Sequence, residues 1–301
     1  MHFQDLAIED IPVIRPFFDF RKYTICDYTI GAMFMWRDYY KIQYCIEDGI
    51  LYSRVMNQPG SRIYYQVPIG DGDIRQAIGR IIGEERRGDR RLNFVPIPEE
   101  DLPLFEGQAV PFSFHNNHGT YADYVYDYDD FCSLSGKRNH KKKNHINQFD
   151  RYCTSWRFEE ITPADTDALR AFLAASYSVS EDADEIELEE MRAVYDVLDH
   201  YAAYGMTGGI LYADDAIAGF TIGECVGDIL FVHIEKADTK IPGAYQKLNH
   251  EYAVRYGAGM KLINREDDSG DEGLRRSKLS YHPVYMAEKY VAEEMTLGSC
   301  I

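Results

Sequence analysis

The sequence predicts an α/β (α+β) protein of two related halves, each a mixed sheet flanked by helices. Three observations point there. The chain has 301 residues, long for one core and suited to two domains of ~150 residues each. Its second half alternates strand-like and helix-like patterns. A segment near the start returns in the middle at a fixed offset.

That segment is Phe3–Phe18, FQDLAIEDIPVIRPFF, which aligns with Phe158–Leu173, FEEITPADTDALRAFL. Phe3 meets Phe158, Leu6 meets Ile161, Arg15 meets Arg170 and Phe17 meets Phe172. Each copy reads as a short strand, a cap and an amphipathic helix. In the second, Thr162, Pro163 and Asp165 form a capping-box pattern. GILY occurs at Gly49–Tyr52 and again at Gly209–Tyr212, a second echo of a duplication.

The first half continues with strands at Lys41–Glu47 and Ile50–Met56 around an Asp48-Gly49 hairpin turn. Asp73–Glu85 places Ile74, Ala77, Ile78, Ile81 and Ile82 on one helical face. Arg91–Ile97 reads as a strand ended by Pro96 and Pro98. In the second half a helix runs from about Glu187 to Tyr201. A hairpin follows, Gly209–Tyr212 and Ala218–Glu224, turning at Asp214-Asp215. Ile229–Ile234 is apolar enough for a central strand. A helix at Gly243–Tyr256, a strand at Lys261–Ile263 and a helix at Gly273–Ser280 come next. Tyr285–Ala292 fits a strand or a helix. The predicted domains are 1–150 and 151–301.

Composition narrows the function classes. The chain lacks a run of about 18 apolar residues, which predicts no membrane-spanning helix and no integral membrane contact. Met1-His2-Phe3-Gln4-Asp5 lacks the basic start and apolar run of a signal peptide, so the expected location is the cytoplasm. Six scattered cysteines (Cys26, Cys45, Cys132, Cys153, Cys225 and Cys300) show no zinc spacing and read as reduced core residues. The net charge is −18. Residues 1–150 carry 18 basic and 22 acidic side chains, residues 151–301 carry 14 and 28. A general polyanion-binding surface, DNA included, is excluded, whereas a local basic patch is not, because screening acts over about 8 Å.

Two polar segments stand out. SGKRNHKKKNHINQF (Ser135–Phe149) interleaves Lys137, Arg138, Lys141, Lys142 and Lys143 with His140, His145, Asn139, Asn144, Asn147 and Gln148. As a helix capped by Ser135, it sets Lys137, Lys141 and Asn144 along one face, suited to phosphate. A solvated helix between domains is the plainer reading. NREDDSGDEGLRRSKLSYHP (Asn264–Pro283) begins where a strand ends, where ligands favour open α/β sheets. Its acidic start and basic end follow the helix dipole, which leaves Asn264, Arg265 and Glu266 unexplained. Asp267, Asp268, Asp271 and Glu272 miss the EF-hand spacing, so no metal is assigned. GxGxxG, GxxxxGK[ST] and GxSxG are absent.

The order strand, helix, strand, helix from Asp228 onward resembles the Gcn5-related N-acetyltransferase fold. There a helix N-terminus receives the acyl carrier's pyrophosphate. The matching place is Lys240–Tyr245, where Lys240 and Gly243 fit the motif and Tyr245 replaces its last small residue. The two polar segments look like the signatures of a bacterial family of unassigned function, similar to the C-terminal domain of phosphatidylglycerol lysyltransferases. This resemblance covers nearly the whole chain and implies two tandem acetyltransferase-like domains. It implies an acyl or aminoacyl transferase, with acyl-coenzyme A or aminoacyl-tRNA as donor and an amine or hydroxyl as acceptor. It also carries over Lys137, Arg138, Lys143, Asn144, His145, Asn264, Arg265, Glu266, Arg275, Lys278 and Tyr281. The substrate-binding candidates are Lys137, Arg138, Lys143, Asn144, His145, Asn264, Arg265, Arg275 and Lys278. Transfer chemistry needs a proton acceptor and donors for an oxyanion, which makes Glu224, Glu235 and Glu266 candidate bases and Tyr281 a candidate acid. The expected partners are an anionic acyl carrier and tRNA. A binding module for an anionic ligand, without chemistry, is the alternative. The lysyltransferases' membrane region has no counterpart here.

Overall fold

A computed structural model describes residues 1–20, 23–56, 62–86, 91–116, 121–177 and 185–295. It divides into two compact units, Met1–Asp123 with Met286–Ile301, and Tyr124–Tyr285. The expected single boundary near residue 150 is therefore not the observed one. Position 150 lies inside a helix of the second unit, and the chain's last strand returns to the first.

The first unit opens with β1 (Gln4–Asp5), α1 (Ile11–Ile14), α2 (Ile30–Met35) and α3 (Arg37–Tyr40). The predicted hairpin is β2 (Ile42–Glu47) and β3 (Ile50–Val55), followed by β4 (Arg62–Tyr65) and β5 (Ile69–Gly70). α4 (Ile74–Glu85) is capped by Asp73, whose carboxylate accepts from the Gln76 amide, and it buries the five predicted apolar residues. β6 (Arg91–Pro98) runs on through Pro96. Its pairing with the last strand shifts register between Tyr290 and Ala292, leaving Pro96 off the ladder. A proline lacking an N–H is tolerated at such an irregularity. β7 (Phe112–Asn116) completes this stretch.

The second unit contains β8 (Asp123–Asp127), α5 (Tyr128–Ser133), α6 (His140–Tyr152), β9 (Trp156–Glu160), α7 (Thr166–Ser176), α8 (Glu185–Asp199) and α9 (Tyr201–Tyr204). Then come β10 (Thr207–Ala213), β11 (Ala216–Val226), β12 (Ile229–Ala237), α10 (Ala244–Tyr256), β13 (Leu262–Asn264), α11 (Glu272–Leu279) and β14 (Tyr285–Ala287). Its sheet has the order β14-β8-β13-β12-β11-β10-β9. The final strand, β15 (Lys289–Glu294), belongs to the first sheet, ordered β1-β2-β3-β4-β6-β15-β7 with β5 against β3. The ambiguous Tyr285–Ala292 segment is thus two strands in two different sheets.

The offset of 155 has a structural counterpart. Leu6 N donates to Ile42 O (2.9 Å) and Ile161 N to Gly208 O (3.0 Å), each at the start of the neighbouring strand. The Ala7 amide donates to Asp10 (2.9 Å) and the Thr162 amide to Asp165 (2.8 Å). β1 edges β2 and then β3, as β9 edges β10 and then β11. The GILY echo fails this test. Gly49–Tyr52 leads into the third strand of its set, whereas Gly209–Tyr212 lies in the second.

Cys26, Cys45 and Cys153 are buried, Cys132 is half-buried and Cys225 is exposed. Cys300 lies outside the described residues. No helix among the described residues is long and apolar enough to cross a membrane.

Candidate active site around the Tyr281 ring

The site begins where two strands part. β12 and β13 run parallel only over Ile229–Phe231 and Leu262–Asn264. β13 stops there while β12 continues to Ala237. Past that point β12 presents His233 and Glu235, two residues apart and so on one face. Arg265 and Glu266 follow the end of β13.

The chain beyond β13 is held by several independent contacts. Asn264 Oδ1 accepts from the Glu266 amide (2.6 Å), and Glu266 takes a left-handed φ of 56°. That conformation is strained for a residue with a side chain and needs surrounding restraint. Lys278, buried on α11, supplies it by donating to the carbonyls of Arg265, Glu266 and Asp267. Asp268, fully buried, accepts from Arg275 Nε (2.9 Å) and Nη2 (3.0 Å), Tyr124 Oη (2.5 Å) and the Gly270 amide (3.0 Å). Burial would raise the Asp268 pKa, but these donors, Arg275 foremost, outweigh it and hold it low. Asn264, Arg275 and Lys278 are therefore engaged in shaping the loop.

Arg265 and Tyr281 occupy the centre. Among the described residues the buried guanidinium makes one ion pair, Nη2 to Glu235 Oε2 (2.5 Å), and its Nε and Nη1 have no hydrogen-bond partner. It lies 5.0 Å from the centroid of the Tyr281 ring. Tyr281 stacks on Phe131 (5.0 Å), and among the described residues its buried hydroxyl has no partner at hydrogen-bond geometry. Burial pushes that phenol up to about 12, against the pull of Arg265. The buried oxygens Asn249 Oδ1 and Thr221 Oγ1 also lack partners among the described residues. Thr221 is in register with Glu235, and Asn249 neighbours Tyr281.

The ring has a further neighbour outside the expected set. Lys142 Nζ sits 3.8 Å from the Tyr281 centroid. The residue is 7% exposed, and no carboxylate among the described residues pairs with it. Burial, and after it the Arg265 charge, lowers its pKa to about 8. A buried ammonium loses hydration, which favours the neutral amine. The two polar segments thus meet at Tyr281, through Lys142 from one and Arg265 from the other.

His233 forms a second charged group. Its fully buried side chain sits between Glu266 Oε1 (2.7 Å from Nδ1) and Glu224 Oε1 (3.2 Å from Nε2). Burial opposes its charge, but the two carboxylates prevail and raise its pKa to about 10. His233 is therefore an imidazolium at neutral pH. It holds Glu266 in place as Glu235 holds Arg265.

The other cations of the basic segment face away. Lys137, Lys143, Asn144 and His145 are exposed, and Arg138 is paired with Asp130 (2.5 Å). Ser135 does not cap the helix. A 3-10 turn at Lys137–Asn139 precedes α6, and the Ser135 carbonyl accepts from the Asn139 side chain (3.0 Å). α6 buries Lys142 and Phe149, seven residues apart on one face. Its backbone passes close to the start of α10. A Cβ placed on Gly243 (φ 77°) would lie 1.9 Å from the His145 carbonyl oxygen.

Sequence reasoning missed Lys142, His233 and Asn249. For His233 a signal existed: an ionisable residue two positions before Glu235 in an otherwise apolar central strand needs buried partners. For Lys142 the signal was its spacing from Phe149.

Two mixed sheets flanked by helices, with two parallel strands parting in the second, define a mixed α/β protein of two units. Over residues 18–293 the chain matches the family described as phosphatidylglycerol lysyltransferase, C-terminal, and it belongs to that family. The family is aminoacyl transferase-like. A conserved protein of unknown function from Bacteroides thetaiotaomicron is similar at 32% identity and a TM-score of 0.88, over 97% of this chain and 99% of that one. The C-terminal domain of a putative lysylphosphatidylglycerol synthetase from Agrobacterium fabrum shares the fold at 13% identity and a TM-score of 0.67, over 96% and 92%. An uncharacterized protein of Mycoplasmoides gallisepticum is 27% identical over 179 residues, 58% of this chain. The match spans 57% of that relative's length.

Proposed function

We propose that the second unit transfers an aminoacyl group from aminoacyl-tRNA to a hydroxyl or amine acceptor at the Tyr281 ring. The observation that carries this reading is the pairing of a proton acceptor with unsatisfied donors on one ring. Lys142 stands 3.8 Å from the centroid and Arg265 stands 5.0 Å from it, with two guanidinium nitrogens unpartnered. In the reaction the acceptor's oxygen or nitrogen bonds to the ester carbonyl carbon. Lys142, with its pKa lowered to about 8, takes the acceptor's proton in its neutral amine form. Arg265 and the Tyr281 hydroxyl donate to the carbonyl oxygen as negative charge develops. The bond to the ribose oxygen then breaks, and that oxygen receives the proton from Lys142. Glu235 and the Glu224–His233–Glu266 group orient the donors.

Acyl-coenzyme A is the less favoured donor. The α10 start, where the acetyltransferase resemblance would seat a pyrophosphate, is closely approached by the His145 carbonyl. That oxygen repels a phosphate. The donor and acceptor are tested by incubating the protein with a panel of aminoacyl-tRNAs, or with acetyl-coenzyme A. Phosphatidylglycerol, amines and peptides serve as acceptors, with mass spectrometry as readout. Consumption of an aminoacyl-tRNA is expected. Lys142→Met and Arg265→Lys should each slow it by roughly 10²-fold or more. Loss of aminoacyl-tRNA no faster than background hydrolysis would leave the anion-binding module as the reading.

A further inference from the structure

We infer that the outer face of α6 is a docking surface for the sugar-phosphate backbone of RNA, so that one helix carries the RNA outside and Lys142 inside. This deepens the aminoacyl-tRNA reading and rests on it for the RNA being a tRNA.

The face is defined by helix phase. At about 100° per residue, with Lys142 at the centre of the buried side, Lys141 and Lys143 flank the outer side. His140, Asn144, Asn147, Gln148 and Arg151 fall between them. All seven are exposed. Lys137 extends the row from the preceding turn. Among the described residues, Lys137, Lys141, Lys143 and Arg151 have no carboxylate partner. Such a row departs from the rest of a chain whose net charge is −18. With so many carboxylates to choose from, a merely solvated helix would be expected to pair more of these cations.

The occupant follows from charge and chemistry. Unpaired cations attract a polyanion, and interleaved amides and imidazoles add hydrogen bonds to phosphate and sugar oxygens. An anionic membrane surface would also want apolar side chains along that face, and the exposed positions of α6 carry only one, the aromatic ring of Tyr152 at its last residue. RNA is therefore the partner assigned.

The test measures binding of unacylated tRNA to the full chain by fluorescence anisotropy across a salt series. Binding near 50 mM salt is expected, with log affinity falling steeply against log salt. A Lys137→Ala/Lys141→Ala/Lys143→Ala variant should reduce that slope by about 2 to 3, at ~0.7 to 0.9 per lost phosphate contact. Lys261→Ala, which removes a lysine paired elsewhere with Asp228, should leave it unchanged. No binding, an unaltered slope in the triple variant, equal affinity for a DNA duplex of similar length, or binding to anionic vesicles in place of tRNA would each overturn the assignment. Transfer from an aminoacylated minihelix, measured in parallel, separates the two readings. Transfer persisting without tRNA binding sinks the surface alone. Binding without transfer sinks the reaction alone.

Discussion

Lys142 and His233 carry opposite pH signatures, which makes both assignments measurable. The Lys142 pKa is lowered to about 8, against a reference near 10.4 for an unfolded lysine. Below pH 8 both states hold the proton and the folded state bears the full cost of the buried charge. Stability therefore gains as pH rises from about 8 to 10.4. Lys142→Met should consequently stabilise the fold at pH 7 by up to roughly 3 kcal/mol, an advantage that vanishes by about pH 10, while slowing transfer by the roughly 10²-fold expected for loss of a general base. Urea unfolding at several pH values, beside the activity assay, checks this. A variant both less stable and inactive would mark Lys142 as structural. His233 runs the other way, because its pKa is raised to about 10 from about 6.5. Its contribution is complete below about pH 6.5 and is lost as pH climbs through 10. His233→Gln should be destabilised most in acid, and the gap to wild type should close by about pH 10 in the same titration. Both residues are only faintly marked in the sequence. Lys142 sits among identical neighbours, and its burial depends on a helix phase that only Ile146 and Phe149 mark. His233 lies in an otherwise apolar strand, and its two carboxylate partners, Glu224 and Glu266, are distant in sequence.

Helices and strands were far more legible than their contacts. α4, α10, α11 and both hairpins follow from periodicity, caps and turn residues, which are local. At α6 the start differs because a 3-10 turn intervenes between Ser135 and the helix. The approach of α6 to α10 has one sequence mark, Gly243, and its meaning is steric. Its left-handed φ and the His145 oxygen both exclude a side chain. Gly243→Ala should cost roughly 2–5 kcal/mol, combining backbone strain with a backbone clash. Gly136→Ala provides the contrast. It shares a positive φ, of 78°, but a Cβ there meets nothing within 4 Å. With ψ at 170° its backbone lies in a region kept for glycine, so it should cost about 1–3 kcal/mol of backbone strain with no clash added. Thermal melts of the two variants distinguish the effects, and equal losses would show that the α6–α10 approach is not tight. If α6 is displaced, Lys142 moves with it, so Gly243→Ala should also lower transfer more than Gly136→Ala does.

At the scale of the chain, the duplication was visible at its caps and invisible at its end. Leu6/Ile161 and Asp10/Asp165 keep the same offset because a capping box and a strand-edge hydrogen bond are local devices. GILY misled because four residues common in strands recur without sharing a position in the sheet. The domain limits escaped altogether. β15 pairs with β6 and β7 across nearly 200 residues of sequence, and no local pattern announces so distant a partner. That pairing has a consequence for the whole molecule. β15 lies inside the first sheet, between β6 and β7, and Ala292 is fully buried. Lys289, at its start, pairs with Asp123 (2.7 Å) and Asp27 (2.9 Å), both of the first unit. Ending the chain at Tyr285 would strip β6 and β7 of their shared neighbour and leave Asp123 buried without its cation, a loss that commonly costs about 3–5 kcal/mol. The second unit, Tyr124–Tyr285, would keep every strand from β9 to β13. The expected result is a protein whose amide exchange protection collapses across β2–β7 while β10–β13 stay protected. Protection lost equally in both sheets would show instead that the two units fold as one.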